Sequence, residues 1–254
     1  MNCLKVLKKT IIDSQLYVSL MGTFLAVFFM HEQNTFRFPS ALLIFITYFS
    51  GYLYTKYQNT KYFYKIFLLN VITGIISAAL IIFNHNEIRL VKWFVIVVLG
   101  LLYNSFFLEN YIRKIPLLKV FYVGLVWALV NSWLTLPAFN LPIFFISFFF
   151  VTALVLPFDI RDMKSDSIQT FPKLIGVLNT KFLAYLLVFV SAILSVFYIK
   201  TPFAISFCIT LIVTYVLIYF TKHSNKDSYY SFWVESCSGL PFLFWIIYLY
   251  LNFE

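Results

Sequence analysis

Nine apolar runs, each approaching the length a helix needs to cross lipid, recur along this chain and leave it few architectures. They lie at Leu16–Met30, Phe38–Tyr54, Ile66–Phe83, Leu90–Leu108, Ile115–Leu136, Leu141–Phe158, Phe182–Ile199, Phe203–Phe220 and Gly239–Leu251. Several are nearer about 15 residues than the roughly 20 of a perpendicular span, but their Tyr, Trp and Phe borders suit the interface and extend them. In hydrocarbon a backbone must satisfy its own N–H and C=O groups, so the runs are predicted to be helices. The chain is 62% hydrophobic and only 11% charged, with mean hydropathy +0.88, against about 25% charged residues in a soluble domain. The expected fold is therefore an all-α polytopic membrane bundle of about nine transmembrane helices, with residues 1–254 forming one integral domain. No linker or internal repeat interrupts it, and Cys3, Cys208 and Cys237 have neither metal-ligand nor disulfide-like spacing.

With nine spans, alternate loops share a side, and the basic residues choose between the sides. Lys5, Lys8, Lys9, Lys56, Lys61, Lys65, Arg113, Lys114, Lys119, Arg161, Lys164, Lys173, Lys181, Lys222 and Lys226 fall on one side. Only Arg37, Arg89, Lys92 and Lys200 fall on the other. The positive-inside rule then places the N-terminus in the cytoplasm, the expected location being the cell inner membrane. The basic start of the chain resembles a signal peptide but lacks a small-residue cleavage site, so the first run is expected to be a retained helix. A net charge of +9 spread over membrane loops argues against nucleic acid as a partner. Few charges fall deep in the spans and no paired Gly/Pro-broken segments occur, which disfavours a secondary transporter.

Polar chemistry concentrates in Asp159-Ile-Arg-Asp162-Met-Lys-Ser-Asp166, followed by Thr170-Phe-Pro172 and Gly176. Asp159, Asp162 and Asp166 are spaced i, i+3, i+7, within roughly 60° of one another on a helix face. Such a row of like charges is unfavourable unless something positive sits on it. Mg²⁺ held between carboxylates and substrate phosphates would suit; a solvated acidic turn between two apolar helices is the plainer reading.

That segment resembles the second aspartate-rich motif of the UbiA superfamily of intramembrane prenyltransferases, D-x-x-D-x-x-x-D followed by T-L-P…G. Leu102-Tyr103 and Arg113-Lys114-Ile-Pro-Leu-Leu118 are similar to the family's basic loop after helix four, and the nine-helix, N-inside layout agrees. The first motif, N-D-x-x-D-x-x-x-D at the end of helix two, is not kept. Ser50-Gly-Tyr-Leu-Tyr-Thr-Lys-Tyr-Gln58 stands there, with Gly51, Tyr54 and Gln58 in place of the acids.

The resemblance implies transfer of a prenyl group from a polyprenyl diphosphate to an aromatic or other lipophilic acceptor. Asp159, Asp162 and Asp166 would hold Mg²⁺. Lys56 would take over part of the missing motif's task as a point charge on the diphosphate, or is simply an inside-facing anchor. Arg113 and Lys114 would grip phosphate oxygens, or set topology alone. Tyr103 and Asn104 would contact donor or acceptor, or form a buried hydrogen-bonding pair. The many Phe and Tyr rings would meet membrane lipids and neighbouring helices, with some lining an isoprenoid tunnel. His31, His85 and His223 read as isolated loop residues. Tyr229–Glu235 reads as interface-belt rings beside an acid without an assigned role. The competing class is a noncatalytic UbiA-like binding or scaffold protein that keeps the bundle and has lost the first metal motif.

Overall fold

A computed structural model describes residues 15–58, 60–103, 115, 117–165 and 168–252. Within them the chain forms nine α-helices: α1 Leu16–Glu32, α2 Phe38–Tyr57, α3 Phe63–Phe83, α4 Glu87–Tyr103, α5 Leu118–Leu129, α6 Leu141–Asp162, α7 Phe171–Tyr198, α8 Thr201–Phe220 and α9 Glu235–Asn252. Two π-helical segments extend this set, Val130–Leu134 continuing α5 and Tyr229–Val234 leading into α9. Six helices are long and apolar enough to cross a membrane: α2, α3, α6, α7, α8, and α9 with its π lead-in. The stretches Leu16–Glu32 and Leu118–Leu134 are shorter apolar helices.

Local chemistry explains many helix starts. Pro39, Pro142, Pro172 and Pro202 stand in the first turns of α2, α6, α7 and α8, where a missing N–H removes no intrahelical bond and the fixed φ is already helical. Asn140 caps α6 by accepting from the Ile143 amide at 3.0 Å. Gly176, at φ 81°, breaks α7 into a short first piece and a long second one. The apolar run at Phe182–Ile199 thus underestimates this helix, which begins at Phe171.

The core is made where α1, α6 and α8 meet. Phe28, Phe29, Phe150 and Phe207 are all fully buried, with Phe207 5.1 Å from Phe150 and 6.0 Å from Phe28 between ring centroids. Close approach is arranged by small residues. A Cβ on Gly124 of α5 would lie 2.2 Å from Thr152 Oγ1 of α6, and one on Gly239 of α9 would lie 2.6 Å from Met21 Sδ of α1. The helices α3 and α4 differ, with few buried residues and with Leu68, Ile75, Val91 and Phe94 exposed. An apolar helix with an apolar outer face suits a lipid surroundings.

The far end from the acidic segment is tied by polar contacts that the apolar pattern hides. Lys92, in the second turn of α4, donates to the carbonyls of Trp133, Leu136 and Pro137 at 3.0, 2.9 and 3.0 Å. It is a buried helix residue, not the loop charge the topology reading made of it. His31, expected in a loop, lies in the last turn of α1 and stacks between Phe36 and Trp245 at 4.4 and 4.6 Å.

Candidate functional site

The last turn of α6 carries Asp159, Arg161 and Asp162. Asp159 is 1% exposed and meets Lys119 Nζ of α5 at 3.3 Å. Asp162 is gripped by its neighbour: Arg161 donates from Nε at 2.7 Å and from Nη2 at 2.9 Å to its two carboxylate oxygens. The same guanidinium lies 5.2 Å from the Phe158 ring and 5.5 Å from the Tyr230 ring, cation–π distances that hold the fork flat and aligned. The Arg161 carbonyl accepts from His223 Nδ1 at 2.8 Å, and Tyr230 donates its hydroxyl to the Lys222 carbonyl at 2.6 Å. Buried Tyr230 is thus a packing residue of the site and not an interfacial ring.

The expected acidic row does not run on as one helical face. The helix ends at Asp162, whose carbonyl accepts from Ser165 through both its amide and its hydroxyl, at 3.0 and 3.1 Å, closing a turn. The two acids diverge, Asp159 toward α5 and Asp162 toward Arg161. Asp166 lies outside the described residues, as do Asn104, Arg113 and Lys114.

On α2, Gly51 and Tyr54 line a cavity and Gln58 is the buried C-terminal cap. The Gln58 Oε1 has no hydrogen-bond partner among the described residues. Lys56 is exposed, its ammonium 5.8 Å from the Tyr57 ring centroid. Tyr103, the last residue of α4, stacks on Tyr122 at 5.5 Å.

Glu235, at the start of α9, joins these parts. Arg161 and Lys56 both act on its carboxylate electrostatically, and Glu235 and Tyr103 in turn act on Tyr52 of α2. The end of α2 and the end of α6 are thus near enough to the start of α9 for their charges to act on Glu235. Sequence reasoning left Glu235 without a role and did not single out Arg161 or Lys119. A buried acid needs a nearby cation, and Lys119 is the next basic residue after the Arg113-Lys114 pair already chosen.

Carboxylate oxygens are the hard donors Mg²⁺ takes, and that ion ordinarily uses one or two of them with waters and substrate phosphate oxygens. Among the described residues no group of three His, Cys, Asp or Glu side chains gathers around a common point. Asp162, about a quarter exposed, fits such a role on the acidic side; α2 supplies no acid opposite it. The donor set suits a single ion.

A cavity of about 330 Å³ runs between α2, α3, α4 and α5, with Tyr54, Thr55 and Tyr103 near the ends of α2 and α4 and with Ser77, Trp93 and Val130 also lining it; Asp159 and Lys119 line a separate small hollow with Leu117, Gln169 and Thr170. The volume of the cavity is within the range of small-molecule pockets.

A membrane helical bundle with ion-paired acids at the end of α6 and an apolar cavity between α2, α3, α4 and α5 is the class that fold and site define. No family model matches the sequence, and no curated protein matches it. In structure the chain is similar to a UbiA homolog from Archaeoglobus fulgidus bound to DMAPP and Mg²⁺, at TM-score 0.62 and 12% identity over 96% of this chain and 99% of that one. It is also similar to a UbiA homolog from the same organism bound to GPP and Mg²⁺, at TM-score 0.59 and 13% identity over 92% of this chain and 99% of the other. The chain has the UbiA-type membrane fold across nearly its whole length.

Proposed function

We propose that this protein transfers a prenyl group from a prenyl diphosphate to a lipophilic acceptor, at a site on the cytoplasmic face. The observation that carries the reading is the fold, whose solved neighbours hold DMAPP or GPP with Mg²⁺, with Asp159 and Asp162 kept on the last turn of α6 and an apolar cavity between α2, α3, α4 and α5.

In the reaction the bond from the allylic carbon to the diphosphate oxygen breaks, the electron pair leaving with diphosphate. The acceptor supplies the pair for the new bond and loses a proton. Asp162, with Asp159 and Asp166 of the same motif, would hold one Mg²⁺, which when bound supplies charge neutralisation to the departing diphosphate. Lys56 offers a point charge on α2, where Gly51 and Tyr54 leave no acid to repel phosphate. Arg161, released from Asp162 by an incoming anion, has the planar fork that phosphate oxygens match. Arg113, Lys114, Tyr103 and Asn104 complete the proposed binding set. Catalysis of this kind is positioning plus electrostatic stabilisation.

One observation favours the competing reading of a noncatalytic binding protein. Both described aspartates of the motif, Asp159 and Asp162, already have a cationic partner, Lys119 or Arg161. Isothermal titration of GPP, with and without Mg²⁺, on wild type and Asp162→Asn decides between them. The enzyme reading expects Mg²⁺-dependent binding that the substitution weakens, and turnover with a suitable acceptor. Metal-independent binding that tightens on removal of the acid, without turnover, would leave only basic loops recognising phosphate.

A further inference from the structure

The end of the bundle away from the acidic segment carries few cations, and they are not spread evenly over it. Of the four basic residues at that end, Lys200 has an acidic residue beside it: its amide donates to the Glu32 carboxylate at 3.4 Å and its ammonium to the Glu32 carbonyl. Arg37, Arg89 and Lys92 gather instead where α2 and α4 begin. Arg37 is the residue before α2. Arg89, in the first turn of α4, reaches across and donates from Nη1 to the Ser40 hydroxyl in the first turn of α2, at 2.5 Å. The charges of Arg37 and Arg89 act on one another, as do those of Arg89 and Lys92.

Like charges held together favour an anion between them, and the described acids of this end do not supply one. Glu32 is buried and accepts from Gln33 Nε2 at 2.5 Å. Glu87 stands exposed at the start of α4 and forms no ion pair with either arginine. Lys92 commits its ammonium to three carbonyls, which leaves the two guanidiniums to meet an incoming anion. The exposed Arg37 side chain makes no hydrogen bond or ion pair among the described residues. A guanidinium fork matches phosphate oxygens, and two forks match the two free oxygens of a phosphodiester.

The surface around the pair is hydrocarbon. Phe38, next to Arg37, is 71% exposed; Ile88, next to Arg89, is also 71% exposed, and Val91 one turn further along α4 is 64% exposed. A soluble anion gains nothing from these side chains, whereas acyl chains attached to a phosphate pack on them.

We infer that Arg37 and Arg89 form a binding site for the phosphate of an anionic phospholipid, in the leaflet away from Asp162, with the acyl chains lying along the exposed faces of α2 and α4. A zwitterionic lipid brings the same phosphate with an ammonium attached, which three neighbouring cations repel. Binding requires neither prenyl diphosphate nor metal, so the site stands independently of the prenyl-transfer reading.

Native mass spectrometry of the full chain in detergent, titrated with dioleoylphosphatidylglycerol, dioleoylphosphatidylcholine or sn-glycerol 3-phosphate, tests it. The phosphatidylglycerol is expected to bind about tenfold or more tightly than the phosphatidylcholine. Arg37→Gln with Arg89→Gln should weaken phosphatidylglycerol about tenfold and leave phosphatidylcholine unchanged. The charge-matched pair Lys222→Gln with Lys226→Gln, at exposed positions of the other end, should stay within about twofold of wild type. Should loss of the Ser40 contact disturb folding, Arg37→Gln alone is expected to weaken phosphatidylglycerol about threefold, and full affinity in that folded variant overturns the site. Equal affinity for the two lipids overturns the anion selectivity. Equal losses in the two double variants would mean diffuse charge attraction without a site. Glycerol phosphate binding as tightly as the phosphatidylglycerol would make the ligand a soluble phosphate and overturn the lipid assignment.

Discussion

The ammonium of Lys119 stands 3.3 Å from a carboxylate oxygen of Asp159, which is 1% exposed while the lysine remains a quarter exposed. The start of α5 and the last turn of α6 are thereby joined. Lys119→Met leaves the buried acid short of a cation and should lower stability by about 1–3 kcal/mol, the exposed lysine tempering the loss. Adding Asp159→Asn should recover part of it, the non-additivity expected of contacting residues. Thermal unfolding of the two single variants and the pair in detergent measures this, and strict additivity would mean that the pair contributes nothing.

Lys92 gives an independent test of the opposite end. Three backbone carbonyls accept from its ammonium, all just beyond the last α turn of α5, where carbonyls lack helical donors. Lys92→Met should cost about 2–4 kcal/mol while leaving affinity for prenyl diphosphate unchanged. A shift in GPP titration without a shift in unfolding would contradict the structural role.

Packing predicts a pair effect at Gly124. An added Cβ would stand 2.2 Å from Thr152 Oγ1 and 3.1 Å from the Phe148 carbonyl oxygen, so Gly124→Ala should destabilise by about 1–3 kcal/mol. Thr152→Ala removes the nearer atom, a hydroxyl with no partner among the described residues, and should rescue part of the loss in the double variant. Equal unfolding temperatures for the single and double variants would place the clash at Phe148 alone.

Topology can be read by labelling. Single cysteines at exposed Thr60 and Ser165, in a background free of Cys3, Cys208 and Cys237, should react with an impermeant maleimide from the same, cytoplasmic side. Exposed Asn84 should react only from the other. Thr60 and Ser165 labelling from opposite faces would separate Lys56 from Asp162 and end the shared-site reading.

The helical bundle was legible because lipid imposes one simple rule, an apolar run for each span, and each expected run overlaps a helix among the described residues. Boundaries were less so. Lys173, Asn179 and Lys181 hide the first part of α7 from a hydropathy reading, though Thr170-Phe-Pro172 bears the proline of a helix start. At the site, Asp159 and Asp162 were found by spacing, whereas their separation was not, since it follows from which cation each acid meets in space. The cavity left no local signal: Gly51, Gly74 and Gly100, which line it, are far apart in sequence, and only the packing of three helices brings their empty sides together. Lys92 and Tyr230 misled for a related reason, because charge or aromaticity alone does not tell a surface anchor from a buried side chain whose polar tip has found a carbonyl.

The π segment Tyr229–Val234 sets a phase. Its i→i+5 bonds take in one residue more than an α turn does, and that surplus fixes how far α9 is rotated relative to the ring that covers Arg161. Tyr230 is its second residue, with the Arg161 guanidinium 5.5 Å from its ring, and Glu235, whose carboxylate feels the same cation, follows directly after it. Deleting one residue, such as Ser231, would let the segment close as ordinary α-helix and turn Tyr230 by about 100° against Glu235. The alignment of these two side chains is thus encoded in a count of residues, and a one-residue deletion there would undo what no conservative substitution in the segment reaches.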